Sequence, residues 1–440
     1  MNPVPPTTTR AAEAEKPALV RPWWIPPFLG PIPAVEQRHL SLLGVISIAI
    51  LFEEYDLAML TAALPQIAAD LRIAETDFGL YLGIIRLGAV PAFALIPFAD
   101  RIGRRRIFLA SLLGTALATL ATAFSQDAVQ FVALQMLTRT FFITGSAVSV
   151  VMIAEEFPAG HRGWGIGMLG ALGATGHGFA MLLFSQIDHM PYGWRSLYAV
   201  GFVPIVLFPL FRRRIPETDR YRSHAAARAE LDATDVGAIS LQPLRDLAIT
   251  YPARTVGIAL AGFLPSVGLI SAFQLTGYYT QTVHGWSPGQ YAAMVVLGGG
   301  LGIFGNLVAG RLGDRFGRRL VGFVLLGTFP LWVGIFYNGP GWSIPIVWIG
   351  LVFSSSGGRI ILRAMATELF PTSQRATASG FFAILEAIGA AVGLFLLYFG
   401  SSEPGDFVGL TTLLSFAVMA GAMVVVFFPE TKQRELESIS

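Results

Sequence analysis

One long pattern occurs twice in this chain. Asp100-Arg101-Ile102-Gly103-Arg104-Arg105, then Glu156-Phe157-Pro158 with Arg162, then Pro216-Glu217-Thr218 form the first copy. The second is Asp314-Arg315-Phe316-Gly317-Arg318-Arg319, then Glu368-Leu369-Phe370-Pro371 with Arg375, then Pro429-Glu430-Thr431, at an offset of about 213 residues. A constant offset of that length marks a duplicated unit far larger than a solenoid repeat. The fold must therefore be two versions of one architecture, and hydropathy decides which. Of the 440 residues 54% are hydrophobic and 13% charged, with 33 Phe and 48 Gly, which is too apolar for a soluble chain of this length.

About twelve apolar stretches can each cross a bilayer, near 40–68, 78–99, 107–125, 129–154, 164–187, 196–211, 254–283, 288–310, 319–338, 343–367, 375–399 and 406–428, since roughly 20 residues suffice at 1.5 Å rise. Backbone groups in lipid must be satisfied within the segment, so the stretches are helices. The expected fold is an all-α integral membrane protein of twelve transmembrane helices in two pseudo-symmetric six-helix halves, 40–211 and 253–428. A tail over 1–39, a polar linker over 212–252 and a tail over 429–440 complete the chain. In the linker, Ala225 to Leu231 reads as a short surface helix. The run Pro22 to Phe28 reads either as an interfacial segment or as a loosely held tail, and no apolar core of signal-peptide length precedes the first span. Loops on one side carry Arg101, Arg104, Arg105, Arg106, Arg162, Arg212, Arg213, Arg214, Arg311, Arg315, Arg318, Arg319 and Arg375; the other side has little beyond Arg72 and Arg195. The positive-inside rule then puts both termini in the cytoplasm, as an even number of spans requires.

A duplicated, apolar chain is the pattern of secondary transporters. The alternatives find less support. A Gly-x-x-x-x-Gly-Lys-Ser/Thr loop for an ATP-driven pump is missing, and six scattered histidines offer no ligand spacing for a metal enzyme. The net charge of +2 gives no support to a nucleic-acid partner. The chain has no cysteine, which excludes disulfides and thiolate metal sites. No cofactor is expected. The expected partners are a small-molecule solute, protons and the lipid bilayer, with a monomer as the working unit.

The two Asp-Arg-x-Gly-Arg-Arg loops, with the Glu-Phe-Pro and Pro-Glu-Thr echoes, resemble the major facilitator superfamily over essentially the whole chain from about 40 to 432. Thr367-Glu368-Leu369-Phe370-Pro371-Thr372 with Arg375, and Tyr55-Asp56-Leu57 followed by Ala63-Leu64-Pro65, resemble its metabolite:proton symporter branch, which includes sugar, aromatic-acid and organic-ion carriers. The resemblance implies a secondary transporter of alternating access in a multi-pass, bacterial inner membrane location. It also implies a gating motif made of Asp100, Arg101, Gly103 and Arg104 and its copy Asp314, Arg315, Gly317 and Arg318. The motif usually opens with Gly four residues before the Asp. Gly310 supplies it in the second copy, but Ile96-Pro97 stands in the first, where close helix packing is not expected. The Gly-Pro pair usual in the fifth helix of drug:proton antiporters is missing as well.

Mechanism is sought where charge is expensive, because an ionisable group at the bilayer centre costs at least ~2.5 kcal/mol and normally faces a cavity or partner. Such groups are Glu53, Glu54 and Asp56 in the first span, Arg86 in the second, Arg139 in the fourth, His177 in the fifth, Arg359 and Arg363 in the tenth and Glu386 in the eleventh. Spans 3, 6, 9 and 12 have none inside; these are the peripheral supports that the resemblance implies. Asp56 and Glu53, three residues apart on one face, are the proton-coupling candidates, with Glu54 as a third. A permanent ion pair to Arg139 or Arg86 would instead make them structural. A guanidinium keeps its proton at physiological pH and grips carboxylate or phosphate with a fork. Arg139, Arg359 and Arg86 therefore favour an anionic solute such as a carboxylate. Arg359 can also pair internally with Glu386, and Arg363 can snorkel to the surface. His177, Gln274, Tyr278, Asn306 and Glu386 complete the candidate solute site, the neutral groups and His177 with inter-helix packing as their alternative. A sugar or other neutral solute, or export by the same fold, is the second reading.

Overall fold

The computed structural model describes residues 22, 24–25, 32–218, 220–222, 242–371 and 374–430. The expected helix at Ala225 to Leu231 and most of the Pro22 to Phe28 run lie outside them, as do Thr372 and Thr431. Among the described residues the regular structure is helical throughout. The twelve spans are α1 (Gln37–Ala62), α2 (Glu75–Ile102), α3 (Arg104–Thr122), α4 (Ala128–Glu156), α5 (Arg162–Phe184), α6 (Trp194–Arg214), α7 (Pro252–Val283), α8 (288–316), α9 (Arg318–Asn338), α10 (Ile344–Glu368), α11 (Arg375–Gly400) and α12 (Asp406–Val426). Nine helices among the described residues are long and apolar enough to cross a membrane on composition alone. α1 misses that standard because Glu53, Glu54 and Asp56 interrupt its apolar run.

Local chemistry explains the ends and breaks. The first span stops at Ala62, short of the expected 68, because Pro65 has no N–H to continue the ladder; it sits in the first turn of a new helix, Leu64–Leu71, where that N–H is not needed. At the break the Ala62 carbonyl accepts from Gln281 Nε2 of α7 at 2.9 Å. α2 is segmented at Gly88 and again at Pro97. α8 starts with a capping box of Ser287 and Gln290 and takes a π turn over Met294–Gly298.

The halves repeat one packing scheme. α1 lies along α5 as α7 lies along α11, α2 on α4 as α8 on α10, and α3 beside α6 as α9 beside α12. At Gly176 an added Cβ would stand 2.2 Å from the Leu51 carbonyl oxygen, so α5 touches α1 backbone to backbone. Phe124, Leu182, Phe202, Leu331, Phe399 and Leu413 are among the large apolar side chains left exposed around the outside, as a lipid-facing surface requires.

Contact between the halves gathers at the end away from the arginine-rich loops. There the outer part of α2 meets α11: a Cβ at Gly79 would lie 2.4 Å from the Leu394 carbonyl. Gln66 Nε2 donates to Gln281 Oε1 at 2.8 Å. Tyr278 of α7 donates to Glu75 at 2.8 Å, and the Gly405 N–H donates to the same carboxylate. One apolar core runs through both halves at this end, whereas the basic end of the first half has a separate core around Leu40, Phe108, Met152 and Phe157.

Candidate functional site

The acids of α1 divide between two environments. Glu53 and Asp56 are buried. Asp56 accepts from Thr119 Oγ1 of α3 at 2.8 Å. Among the described residues neither carboxylate oxygen of Glu53 has a hydrogen-bond partner, and Gly145 of α4 leaves the room it occupies, since a Cβ there would lie 2.6 Å from Glu53 Oε1. Between these acids, Arg86, Gln135, Arg139 and Phe142 is a cavity of about 20 Å³, enough for one water. Arg139 keeps Nε and Nη1 buried without hydrogen-bond partners and lies 5.3 Å from the Phe142 ring centroid, a cation–π contact. It is within charge–charge range of Glu54 and Asp56. Glu54 turns to α5, where its carboxylate is 3.3 Å from His177 Nδ1.

Across the space between the halves, Glu386 of α11 receives both arginines of α10, with Arg359 at 3.7 Å and Arg363 at 3.0 Å. Their side chains are 50% and 58% exposed. Arg363 is thus an ion-pair partner of Glu386 rather than a purely snorkelling cation. Arg86 donates from Nη2 to Gln274 Oε1 at 2.8 Å, and Gln274 Nε2 donates to Thr61 Oγ1 at 3.0 Å.

These distances bring Glu53, Asp56, Arg86, Arg139 and Gln274 into one neighbourhood, with Arg359 in charge range of Arg86. Glu54 with His177, and Arg363 with Glu386, border it. Tyr278 lies apart, at the seam with Glu75. The side chain of Asn306 lies outside the described residues.

The two basic loops fold alike. Gly103 and Gly317 have φ of +117° and +99°, open to glycine and strained for other residues. A Cβ at these positions would meet Glu217 Oε2 at 2.4 Å and Glu430 Oε2 at 2.6 Å. Glu217 accepts from the Arg105 N–H and Glu430 from the Arg318 N–H, each at 3.0 Å. Both carboxylates thus satisfy the N-terminus of the next helix. Arg104 pairs with Asp100 at 2.7 Å and Glu155 at 3.1 Å; Arg318 pairs with Asp314 at 3.7 Å and with Glu368. Arg101 accepts from Tyr221 through its carbonyl at 2.9 Å, and Arg315 lies 5.2 Å from the Phe316 ring. The glutamate equivalent to Glu368 is therefore Glu155, as the 213-residue offset of Pro158 from Pro371 also gives, and not Glu156 of the Glu-Phe-Pro run, because Glu155 is the one facing Arg104. At Gly310 a Cβ would meet nothing within 4 Å among the described residues, so no close contact requires the second copy's glycine here.

The sequence profile of the major facilitator superfamily matches residues 46–394, with a second match over 283–438. The chain belongs to the major facilitator superfamily. Membership makes it an integral, multi-pass membrane transporter rather than an enzyme. Among superfamily relatives, the cis,cis-muconate transport protein of Acinetobacter baylyi is 26% identical, with 87% of this chain and 92% of that protein covered. The arabinose-proton symporter of Bacillus subtilis is 25% identical over 93% and 96%, and the gallate transporter of Pseudomonas putida 26% over 90% and 92%. The inward open xylose transporter XylE of E. coli superposes with a TM-score of 0.70 at 17% identity, covering 91% of this chain and 99% of that one, which supports the superfamily fold.

Proposed function

We propose that this transporter carries a small organic anion, such as a carboxylate, together with protons across a bacterial cytoplasmic membrane. The halves 40–211 and 253–428 rock about the central site as a monomer, with the 212–252 linker and both tails, 1–39 and 429–440, in the cytoplasm. The observation that carries this reading is the one-water cavity in which Glu53, without hydrogen bonds, and Asp56 lie beside Arg139, whose Nε and Nη1 are unmatched. A buried charge without partners is costly; a proton on the acid and an anion at the guanidinium relieve both costs at once. Asp56 and Glu53 take the proton-coupling role, with Glu54, 3.3 Å from His177, as the third acid. Arg139, Arg86 and Arg359 take the anion. The Asp100 and Asp314 loops, with Arg104 and Arg318, close the cytoplasmic side when the halves rock the other way. Names of the muconate and gallate relatives describe organic acids, in keeping with this.

A neutral sugar is the second reading. It is favoured by the ion pairs that Glu386 makes with Arg359 and Arg363, which already occupy those cations, and by the arabinose-proton relative. Purified protein in liposomes with an internal pH dye separates the two. Muconate or gallate is expected to drive proton entry beyond that into bare liposomes, with Asp56→Asn and Glu53→Gln each losing most of the signal. Proton entry with arabinose or xylose alone would overturn the anion reading.

A further inference from the structure

Arg86 stands in an unusual electrostatic position. Its hydrogen bond is to a neutral amide, Gln274 Oε1, and the charges acting on it are those of Arg139 in its own half and Arg359 in the other, both of its own sign. Three guanidiniums converge here, and among the described residues no carboxylate forms an ion pair with the middle one, although Glu53 and Asp56 line the same cavity, so an added anion finds an unpaired cation between the halves. The Gln274 carbonyl fills one prong of a fork that a carboxylate fills with two stronger, charge-assisted bonds.

The same amide ties the halves together. Gln274 accepts from Arg86 of α2 and donates to Thr61 of α1, so a single α7 side chain of the second half is held by two helices of the first. Next to it the backbones touch: a Cβ at Gly277 would lie 2.3 Å from the Thr61 carbonyl oxygen. This clasp sits between the central site and the closed end.

We propose that Arg86 is a carboxylate subsite wired to the gate: the solute's anionic group takes the guanidinium from Gln274 and so loosens the Arg86–Gln274–Thr61 clasp that joins the halves. The proposal rests on the anion reading above and adds a positioning role to Gln274. Because coupling between two equilibria is reciprocal, removing the Gln274 carbonyl both frees the closed end and tightens anion binding.

The chain has no native cysteine, so spin labels at Gln126→Cys and Ser402→Cys, both exposed at the closed end, report the gap in nanodiscs by pulsed electron resonance. Gln274→Ala is expected to lengthen the distance distribution without ligand. The carboxylate probes are cis,cis-muconate, gallate and benzoate, with affinity read by calorimetry. At least one is expected to bind and lengthen the wild-type distances, to bind Gln274→Ala more tightly, and to bind Arg86→Gln at least about 5-fold more weakly with no lengthening. Arg86→Lys, which keeps the charge but not the fork, is expected between wild type and Arg86→Gln, and stands in should Arg86→Gln fail to fold. An unchanged distribution in Gln274→Ala overturns the clasp. Carboxylate binding and proton entry as strong in Arg86→Gln as in wild type leave anion transport standing and overturn the subsite. Binding of arabinose but of no carboxylate overturns both.

Discussion

Glu53 and Asp56 sit three residues apart on α1, yet one has a hydroxyl donor and the other only the space left by Gly145. Gly145→Ala would put a methyl 2.6 Å from Glu53 Oε1. It should therefore abolish proton-linked uptake while Asp56 keeps its Thr119 bond; uptake at wild-type rates would refute a role for Glu53. Another carboxylate, Asp70, lies beyond the end of α1. Burial pushes its carboxyl up, but hydrogen bonds from Arg195 and Trp194 outweigh that and hold it below the usual range. The stability it adds is then present above the unfolded carboxyl value of about 3.9 and lost as pH falls through the folded value. At 44% exposure solvent screening limits it to about 0.2–1 kcal/mol. Asp70→Asn should melt slightly earlier than wild type at neutral pH, with the gap in Tm closing below about pH 3. At this scale the sequence made the central charges legible, because ionised groups are conspicuous in apolar runs. The likeness of Glu-Phe-Pro to Glu-Leu-Phe-Pro drew attention to Glu156, although the 213-residue offset of Pro158 from Pro371 already pairs Glu368 with Glu155; neighbours on a helix differ by about 100°, and it is Glu155 that faces Arg104. Glu75, Thr61 and Thr119 gave no signal, being ordinary polar residues until a partner faces them.

Among elements, the α1–α5 contact is the tightest test of packing. Gly176→Val forces a side chain against the Leu51 carbonyl, and overpacking of a well-packed contact costs about 1–3 kcal/mol. A clear fall in Tm, or loss of monodisperse protein, is expected, whereas Gly178→Ala, which meets nothing within 4 Å, should be silent. Equal behaviour of the two would show that α1 and α5 are not held at Gly176. The glycine series in α5 looked uniform in sequence; the fold uses Gly165, Gly173 and Gly176 for contacts and leaves Gly163, Gly167, Gly170 and Gly178 open. The spans were legible from hydropathy because lipid demands long apolar helices. The stop at Ala62 was within reach of Pro65. The π turn in α8 was not, since no residue there prescribes it.

For the whole molecule, duplication foretold two similar halves but not which end they would share, because a carrier's sequence must serve both ends of its cycle. Here the seam lies at Gln66–Gln281, Glu75–Tyr278 and Gly79–Leu394. With Gln66→Cys and Gln281→Cys in the cysteine-free chain, a short thiol-cleavable cross-linker should stop transport, and reduction should restore it; undiminished transport when cross-linked would mean the seam need not open. The loop glutamates have a further consequence. Each half fastens the first turn of its third span with a residue from its own far end, Glu217 onto Arg105 of α3 and Glu430 onto Arg318 of α9. As the ribosome delivers the chain from the amino end, the first fastening can form before α7 is made, while the second must wait until α12 is complete. Birth order thus gives the twin halves unequal histories: one matures alone, and the other is finished against a completed template.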